Sequence, residues 1–527
     1  MSDPERKKLI NFLNNPDSYV HNPGRVEHIQ THASDIFIVP PYVYKVKKPV
    51  DLGFLDFSTL AKRKYFCERE VELNRRLCDD VYLGIEKIVT DRGSFYFGNS
   101  GEVFEYAVKM RRLDDKYFLK NILKFGKVAK SDFLRVVEKL ESFYKDQETS
   151  EEVSENGKPE NLRLSIDENV KSSSDYIGKT ILSSTYFAID RYNQKFFKHG
   201  KDLFLSRIKE GFIKDCHGDL HLEHINICPD RVCIYDCIEF NDIFRHIDIA
   251  SDIAFLSMDL DYKGFPQFSD FIVSELSRRM GDSTMYEVLD FYKCYRAFVR
   301  GKVESIKCGE EEVPENERKD SADKARNYFR LALKYALFGS RPCVIIVFGM
   351  IGTGKSTVSE ILSEELGAEV FSSDRTRKEI TGKAPGERDN KGFGKGIYTP
   401  EITEKTYTEI LRRGFDNLGL RGISILDATY SGMERRKRVR EEARKSDTNY
   451  IFIETTVPDD VIIKRLQKRK LDETSVSDAG ADMFEMFKKS YDEPSELEGD
   501  NYIKIDTRGD RQDILLDIFN GILDLQC

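Results

Sequence analysis

A chain of 527 residues is too long for one ordinary hydrophobic core, so two or more domains are expected. Hydrophobic residues supply 40% and charged residues 33%, a soluble globular composition, and a formal charge of −9 speaks against a coat protein for nucleic acid. Met1 to Lys8 lead into no apolar leader core and no apolar run reaches spanning length, so a cytoplasmic location and no membrane partner are the expectation.

Residues 1 to about 30 read as a helical lead-in. Ile36–Val39 and Val43–Val46 read as two strands joined by a tight turn at Pro40-Pro41. Lys45 lies in the second strand, with Lys47 and Lys48 just beyond it. Arg63 to Leu77 reads as a helix, with Phe66, Val71, Leu73 and Leu77 apolar and Glu68, Glu70 and Glu72 beside them. A strand lysine followed by a helix glutamate is how protein-kinase-type lobes hold α- and β-phosphates, the carboxylate pinning the ammonium. Phe104–Met110 is a further strand, and its end at Lys109-Met110-Arg111 suits a hinge. Gln147 to Ser174 is polar and acidic without clear periodicity and is read as a solvated loop or insertion.

Next comes Cys216-His217-Gly218-Asp219-Leu220-His221-Leu222-Glu223-His224, and Asp236 follows at the end of a strand, Val232–Tyr235. A kinase catalytic loop has the pattern H-x-D-L-x-x-x-N, followed one hairpin later by a metal-binding aspartate. On that pattern Asp219 accepts the proton of an attacking hydroxyl. Asp236 holds Mg²⁺, a hard cation that takes oxygen ligands.

Together with Asp236-Cys-Ile-Glu-Phe and Asp248-Ile-Ala-Ser-Asp252, this stretch resembles the aminoglycoside phosphotransferase (choline-kinase-like) branch of the protein-kinase fold. Lys47-Lys-Pro-Val-Asp-Leu-Gly-Phe-Leu-Asp-Phe-Ser-Thr is similar to a bacterial subfamily in which such a domain is fused to a P-loop kinase. The resemblance implies an α+β protein-kinase-like domain over residues 1–338, with an N-lobe to about residue 110 and a C-lobe from 111 to 338. It further implies Asp219 as catalytic base, Asp236 as metal ligand, Lys45 as the phosphate-contacting lysine with Lys47 close behind, and Glu70 as the helix glutamate. Two departures stand out. His224 occupies the place of the asparagine that is the second metal ligand, and imidazole suits Mg²⁺ less well than an amide oxygen. There is also no G-x-G-x-x-G between the first strands, where Thr31-His-Ala-Ser34 is the candidate phosphate loop. A nucleotide-binding regulatory lobe with weak or no catalysis therefore stays open as an alternative. Asp248 and Asp252, on one helix face, are read as braces of the catalytic loop. The ten cysteines include Cys228, Cys233 and Cys237 close together but no C-x-x-C, and they are read as small buried residues in a reducing compartment.

Ser321 to Leu337 reads as a helix that Gly339 ends, and the second domain is expected over 339–527. There Val344 to Phe348 run into Gly349-Met350-Ile351-Gly352-Thr353-Gly354-Lys355-Ser356-Thr357, and a helix follows to Leu366. This is a G-x-x-x-x-G-K-[ST] loop in its strand–loop–helix setting. The glycines let the backbone wrap phosphates, the helix N-terminus offers N–H donors, Lys355 reaches the β- and γ-phosphates, and Ser356 offers a hydroxyl to Mg²⁺. Strands at Glu369–Ser372, Ile423–Leu426, Tyr450–Glu454 and Tyr502–Ile505 alternate with helices such as Pro400–Leu418 and Asp459–Arg469. An α/β P-loop NTPase domain on a parallel five-stranded sheet follows, with its ligand at the strands' C-terminal ends.

Asp427 is placed like a Walker-B acid for the metal. Asp374, ending Phe371-Ser-Ser-Asp, is the candidate base for an acceptor hydroxyl, with Arg377 as a clamp for the acceptor's anionic group. Arg465 and Arg469 share the face of a helix leading into a lid over Lys470–Asp478. The Ser-Ser-Asp-x-x-Arg-Lys stretch resembles polynucleotide 5′-kinases, zeta-type toxin kinases and gluconate-kinase-like enzymes. The expectation is thus an ATP- and Mg²⁺-dependent phosphotransferase whose acceptor is a small molecule or a polynucleotide 5′-hydroxyl.

Overall fold

The structure, a computed structural model, describes residues 3–310, 313–384, 387, 396–470 and 484–526. It divides into two compact units, Met1–Leu162 with Lys201–Leu289, and Arg163–Gly200 with Asp290–Cys527. The stretches 163–200 and 290–338, which the sequence reading placed within the first domain, thus belong with the P-loop unit. Ser183–His199 packs on the C-terminal helix Arg511–Leu525 and on Glu315–Phe338, and Arg191 reaches Asp524 at 2.7 Å. An apolar helix stripe carries no address, so the sequence could not say which core it joins. Among the described residues no helix is long and apolar enough to cross a membrane.

The first unit is built on a six-stranded antiparallel sheet of order β1-β2-β3-β6-β4-β5. Its strands are β1 (Glu27–Gln30), β2 (Ser34–Val39), β3 (Tyr42–Lys47), β4 (Tyr82–Asp91), β5 (Ser94–Phe97) and β6 (Glu102–Arg111). β4 and β5 escaped the sequence reading because two register irregularities in β4, at Tyr82/Gly84 and Ile88/Val89, break its in–out alternation. Helix α1 (Leu60–Arg75), capped by the Thr59 side chain, packs on β4 and β6 and buries Cys67, Glu70, Val71 and Leu73. The expected loop at Gln147–Ser174 is instead mostly helical, Glu151–Asn156 and Pro159–Ser172. Three sparse anchors, Val153, Ile166 and Val170, are buried there, too few for a visible period. Below the sheet come two short antiparallel pairs, β7 (Ile213–Asp215) with β10 (His246–Asp248) and β8 (Ile225–Ile227) with β9 (Val232–Ile234). Helix α2 (Ile249–Tyr262) follows, buried on nearly every side. Cys78, just past α1, is disulfide-bonded to Cys233 of β9 across 155 residues, a pairing that sequence proximity could not show and that departs from the reading of free thiols.

The second unit holds a five-stranded, all-parallel sheet of order β12-β13-β11-β14-β15. The strands are β11 (Cys343–Phe348), β12 (Glu369–Ser372), β13 (Ile423–Asp427), β14 (Asn449–Thr456) and β15 (Tyr502–Asp506). β11 is central and buried throughout, as an unbroken apolar run demands. Its neighbours end level with it, which sets Ser372, Asp427, Thr455 and Asp506 along the edge from which the glycine-rich loop departs.

Candidate functional site

The loop after β11 owes its shape to three glycines with positive φ: Gly349 at 136°, Gly352 at 76° and Gly354 at 97°. A Cβ on Gly349 would sit 2.6 Å from the Thr455 carbonyl oxygen. Met350 and Ile351 pack toward Ile462 and Leu466, and the Thr353 hydroxyl lies 2.7 Å from that of Thr455. From the far side Thr507 Oγ1 donates to the Thr353 carbonyl at 2.6 Å. Helix α3 (Lys355–Leu366) starts directly after Gly354 with Ser356 and Thr357 exposed in its first turn, so its unbonded N–H groups face the loop. Lys355 Nζ donates to the Met350 carbonyl at 2.8 Å, laying the ammonium across the loop.

Ser356 Oγ donates to Asp427 Oδ2 at 2.9 Å. Asp427 is buried, and burial pushes its carboxyl up to about 6; the Lys355 charge and the Ser356 hydrogen bond pull it back, and the charge of Asp374 pushes it further up. Asp374 stands in the first turn of α4 (Ser373–Ile380), and Ser372 at the end of β12 is in register with Asp427. The two carboxylates therefore occupy adjoining strand ends beside the loop, close enough to feel each other. A hydroxyl and a buried carboxylate are a hard oxygen donor pair, the kind Mg²⁺ takes, and Ser356 and Asp427 fit it.

Arg465, on α5 (Asp459–Lys470), donates through Nη1 to Thr507 Oγ1 and through Nη2 to the Thr507 carbonyl, both at 2.9 Å. A Cβ on Gly354 would meet its Nη1 at 3.3 Å, so this guanidinium lies against the loop. The side chain of Arg469 and the lid expected over Lys470–Asp478 lie outside the described residues. Arg377 departs from the expected clamp. It is buried, donates to the Thr403 hydroxyl at 2.9 Å and the Ile397 carbonyl at 3.3 Å, and stacks 4.8 Å over Tyr398. Its charge braces the wall behind Asp374. The sequence reading missed Thr455 and Thr507, whose hydroxyls hold the loop. Their signal was a polar residue at the C-terminal end of an apolar parallel strand.

The first unit carries a second constellation. Lys45 Nζ lies 2.9 Å from Glu70 Oε1 and 2.7 Å from Asp236 Oδ1, which joins β3, α1 and the end of β9. Glu70 is fully buried, and its other oxygen takes Lys47 at 2.7 Å; Lys47 also pairs with Glu239. Lys47, 1% exposed, is thus an internal counter-charge, while Lys45 is 13% exposed. Burial works to raise the Glu70 carboxyl, but the two ammonium groups prevail and hold it below its ordinary value. Glu239 shifts the other way, raised by burial against the pull of Lys47. Asp236 has φ 62°, a left-handed conformation costly for a non-glycine residue, and it aims the carboxylate at Lys45. Burial opposes its ionisation, yet Lys45 and then His224 keep it well below the carboxylate range.

The His217–His224 loop is braced from beneath. Asp252 accepts the backbone N–H groups of His217 at 3.0 Å and Gly218 at 2.9 Å, and the Tyr144 hydroxyl at 2.9 Å. Asp248 caps α2 and pairs with buried Arg207. His217 contacts the Tyr235 carbonyl at 2.9 Å, and its Nδ1 accepts the Asp219 N–H at 3.2 Å. Asp219, 34% exposed, has His221 at 3.5 Å and His224 at 3.6 Å. Burial, then the neighbouring His221, lowers His224 to about 4, so the ring is neutral near pH 7. The candidate phosphate loop Thr31–Ser34 is the hairpin between β1 and β2, closed by Ser34 N–H to Thr31 Oγ1 at 3.0 Å. Sequence reasoning missed Glu239, whose partner lies 192 residues away.

Comparison with known proteins bears on the second unit first. Residues 344–494 match the AAA domain. Uncharacterized proteins of Mycobacterium tuberculosis and Mycobacterium bovis are 29% identical over 448 residues, 84% of this chain and 85% of theirs. Two solved structures align over about a third of the chain. A gluconokinase from Sinorhizobium meliloti is 18% identical with a TM-score of 0.26, covering 35% of this chain and 93% of its own. The APS kinase of Mycobacterium tuberculosis in complex with AMPPNP and APS is 13% identical with a TM-score of 0.27, covering 34% and 98%. The C-terminal part is a P-loop nucleotide-binding α/β domain.

Proposed function

We propose that the protein is an ATP-dependent phosphotransferase whose P-loop domain moves the γ-phosphoryl group of ATP to an acceptor hydroxyl. The observation that carries this reading is the placement of two carboxylates with different tasks beside one phosphate loop. Asp427 is tied to Ser356, and Asp374 stands one strand over with no such tie to the loop. Main-chain amides of 349–357 and the start of α3 hold the triphosphate, and Lys355 leaves the Met350 carbonyl to reach it. Ser356 and Asp427 hold Mg²⁺, which when bound screens the phosphate charge. Asp374 takes the proton from the acceptor hydroxyl as the new oxygen–phosphorus bond forms and the bond to ADP breaks. Arg465 supplies positive charge at the mouth, as the sequence reading also expects of Arg469, and Arg377 positions the wall from which Asp374 projects. The acceptor class is a small-molecule alcohol or a polynucleotide 5′-hydroxyl.

The first unit is, on this proposal, a protein-kinase-like nucleotide site of the aminoglycoside phosphotransferase branch, with Asp219 as base. The Lys45–Glu70 pair and the adjacent Asp236 support it. One observation favours a regulatory version of that unit: Lys45 pairs with both Glu70 and Asp236, and the loop between β1 and β2 is the tight Thr31–Ser34 hairpin in place of a G-x-G-x-x-G. A phosphate-transfer screen over metabolites and oligonucleotides, run on wild type, Lys355→Ala and Asp219→Ala, separates the two units. Transfer lost only in Lys355→Ala assigns catalysis to the P-loop domain, and transfer retained in both variants contradicts the proposal.

A further inference from the structure

The cation position in the first unit does not suit Mg²⁺. We propose that His224 and Asp236 form a site selective for a first-row transition cation of the Mn²⁺ or Co²⁺ class, bound together with a nucleoside triphosphate. The inference rests on the reading of this unit as a nucleotide site and adds which ion that site takes.

The geometry fixes which ring nitrogen does what. His224 Nδ1 lies 2.9 Å from the backbone oxygen of Asp219. A carbonyl can only accept, so Nδ1 carries a hydrogen and Nε2 is the ring nitrogen left to meet a cation. Nε2 faces Asp236 Oδ2 at 3.5 Å, too long for a hydrogen bond between them. The imidazole nitrogen and the carboxylate oxygen thus face each other across a gap. Ligand atoms bound about 2.1 Å from one ion stand about 3 Å apart at a right angle and about 3.4 Å apart at a tetrahedral opening. The observed separation needs only a slight closure.

The surroundings are those of a metal-binding imidazole. A histidine that ligates a metal almost always donates its other N–H to a carbonyl or carboxylate, which orients the ring, and Asp219 provides that here. The ring is further held between His221, with centroids 3.9 Å apart, and Tyr235 at 5.5 Å. His221 has a different role. Its Nδ1 accepts the Glu223 N–H at 3.3 Å, which leaves its Nε2–H directed at Asp219 Oδ2, 3.5 Å away. Its ring stands beside the Asp219 carboxylate. Lys45 occupies Oδ1 of Asp236, so Oδ2 is the oxygen turned to the cation.

Mg²⁺ demands an octahedron of oxygens and gains little from imidazole, whereas first-row transition ions bind a nitrogen donor progressively better along the series. With His224 in place of an amide oxygen, one of the two protein ligands is the wrong atom for Mg²⁺ and the right one for Mn²⁺ or Co²⁺.

The test uses full-length Lys355→Ala protein, in which the P-loop site is silenced, with Mn²⁺ and AMPPNP. Pulsed EPR should show ¹⁴N coupling from a directly bound imidazole. Mg²⁺ should displace the Mn²⁺ only at about tenfold or greater excess. Adding His224→Asn should remove the ¹⁴N coupling and bring the two ions to near parity. Mn²⁺ bound with AMPPNP but without nitrogen coupling overturns the inference in the protein that retains His224, so the outcome does not depend on the folding of the second variant. Equal competition by Mg²⁺ while AMPPNP still binds overturns the ion preference alone. Failure of Lys355→Ala protein to bind AMPPNP with any cation removes the nucleotide reading of the first unit, and this inference with it.

Discussion

Asp427→Asn is expected to stabilise the ligand-free P-loop domain while disabling it. Burial holds this carboxyl at about 6 against an ordinary 3.8, so keeping it ionised costs the folded domain about 3 kcal/mol at neutral pH. The folded state binds the proton more tightly than the unfolded chain does. The carboxyl's contribution is therefore most favourable below about pH 4 and is lost as pH rises through 6. Asparagine keeps an oxygen for the Ser356 hydroxyl and removes the charge. At pH 8 without nucleotide the variant should melt about 6–12 °C above wild type, given about 2–4 °C per kcal/mol for a domain of this size. Near pH 4 the difference should vanish. Saturating MgATP should raise wild type by about 3 kcal/mol and leave the variant almost unmoved, which closes the gap. Differential scanning fluorimetry at both pH values, with and without MgATP, reads all four numbers. A variant no more stable than wild type at pH 8 would mean that the carboxylate is not a buried ionic cost awaiting a cation, and the metal role given to Asp427 would fail.

Asp374→Asn should lower phosphate transfer by about 10²–10⁴-fold with ATP affinity retained, as measured by turnover beside equilibrium binding; a matched loss of affinity would make Asp374 a nucleotide ligand instead of a base. Glu70→Gln strands two buried ammonium groups and should destabilise the first unit by about 3 kcal/mol in urea titration. An unchanged midpoint would show that Glu239 and Asp236 suffice as counter-charges. Thr507→Val removes the hydroxyl that donates to Thr353 and accepts from Arg465, so it should raise the Kd for ATP several-fold with little change in melting. No change in Kd would mean the loop holds its shape without it.

The parallel sheet and the phosphate loop of the second unit were legible in the sequence. Its central strand is an unbroken apolar run, its glycines mark left-handed turns, and its carboxylates fall where strands stop. Each is a local signal. The rest depended on contacts far apart in the chain. Lys47 looked like a second phosphate ligand and is internal, because Glu239 meets it only in the fold. Arg377 had the spacing of a clamp, but Tyr398 and Thr403 enclose it. The register breaks of β4 erased its alternation, and Val153, Ile166 and Val170 were too sparse to mark the helices they anchor. The departure at His224 was visible as a residue type; only its bond to the Asp219 carbonyl showed which nitrogen faces Asp236.

On the proposed function, the phosphate loop and the Asp374 carboxylate act on one acceptor hydroxyl. The most direct test is transfer of the γ-phosphoryl group of labelled ATP to a panel of alcohols and 5′-hydroxyl oligonucleotides, comparing wild type with Asp374→Asn at saturating ATP. One acceptor class should be labelled by wild type, and at least about a hundredfold more slowly by the variant. Equal labelling by both proteins would contradict the proposed function.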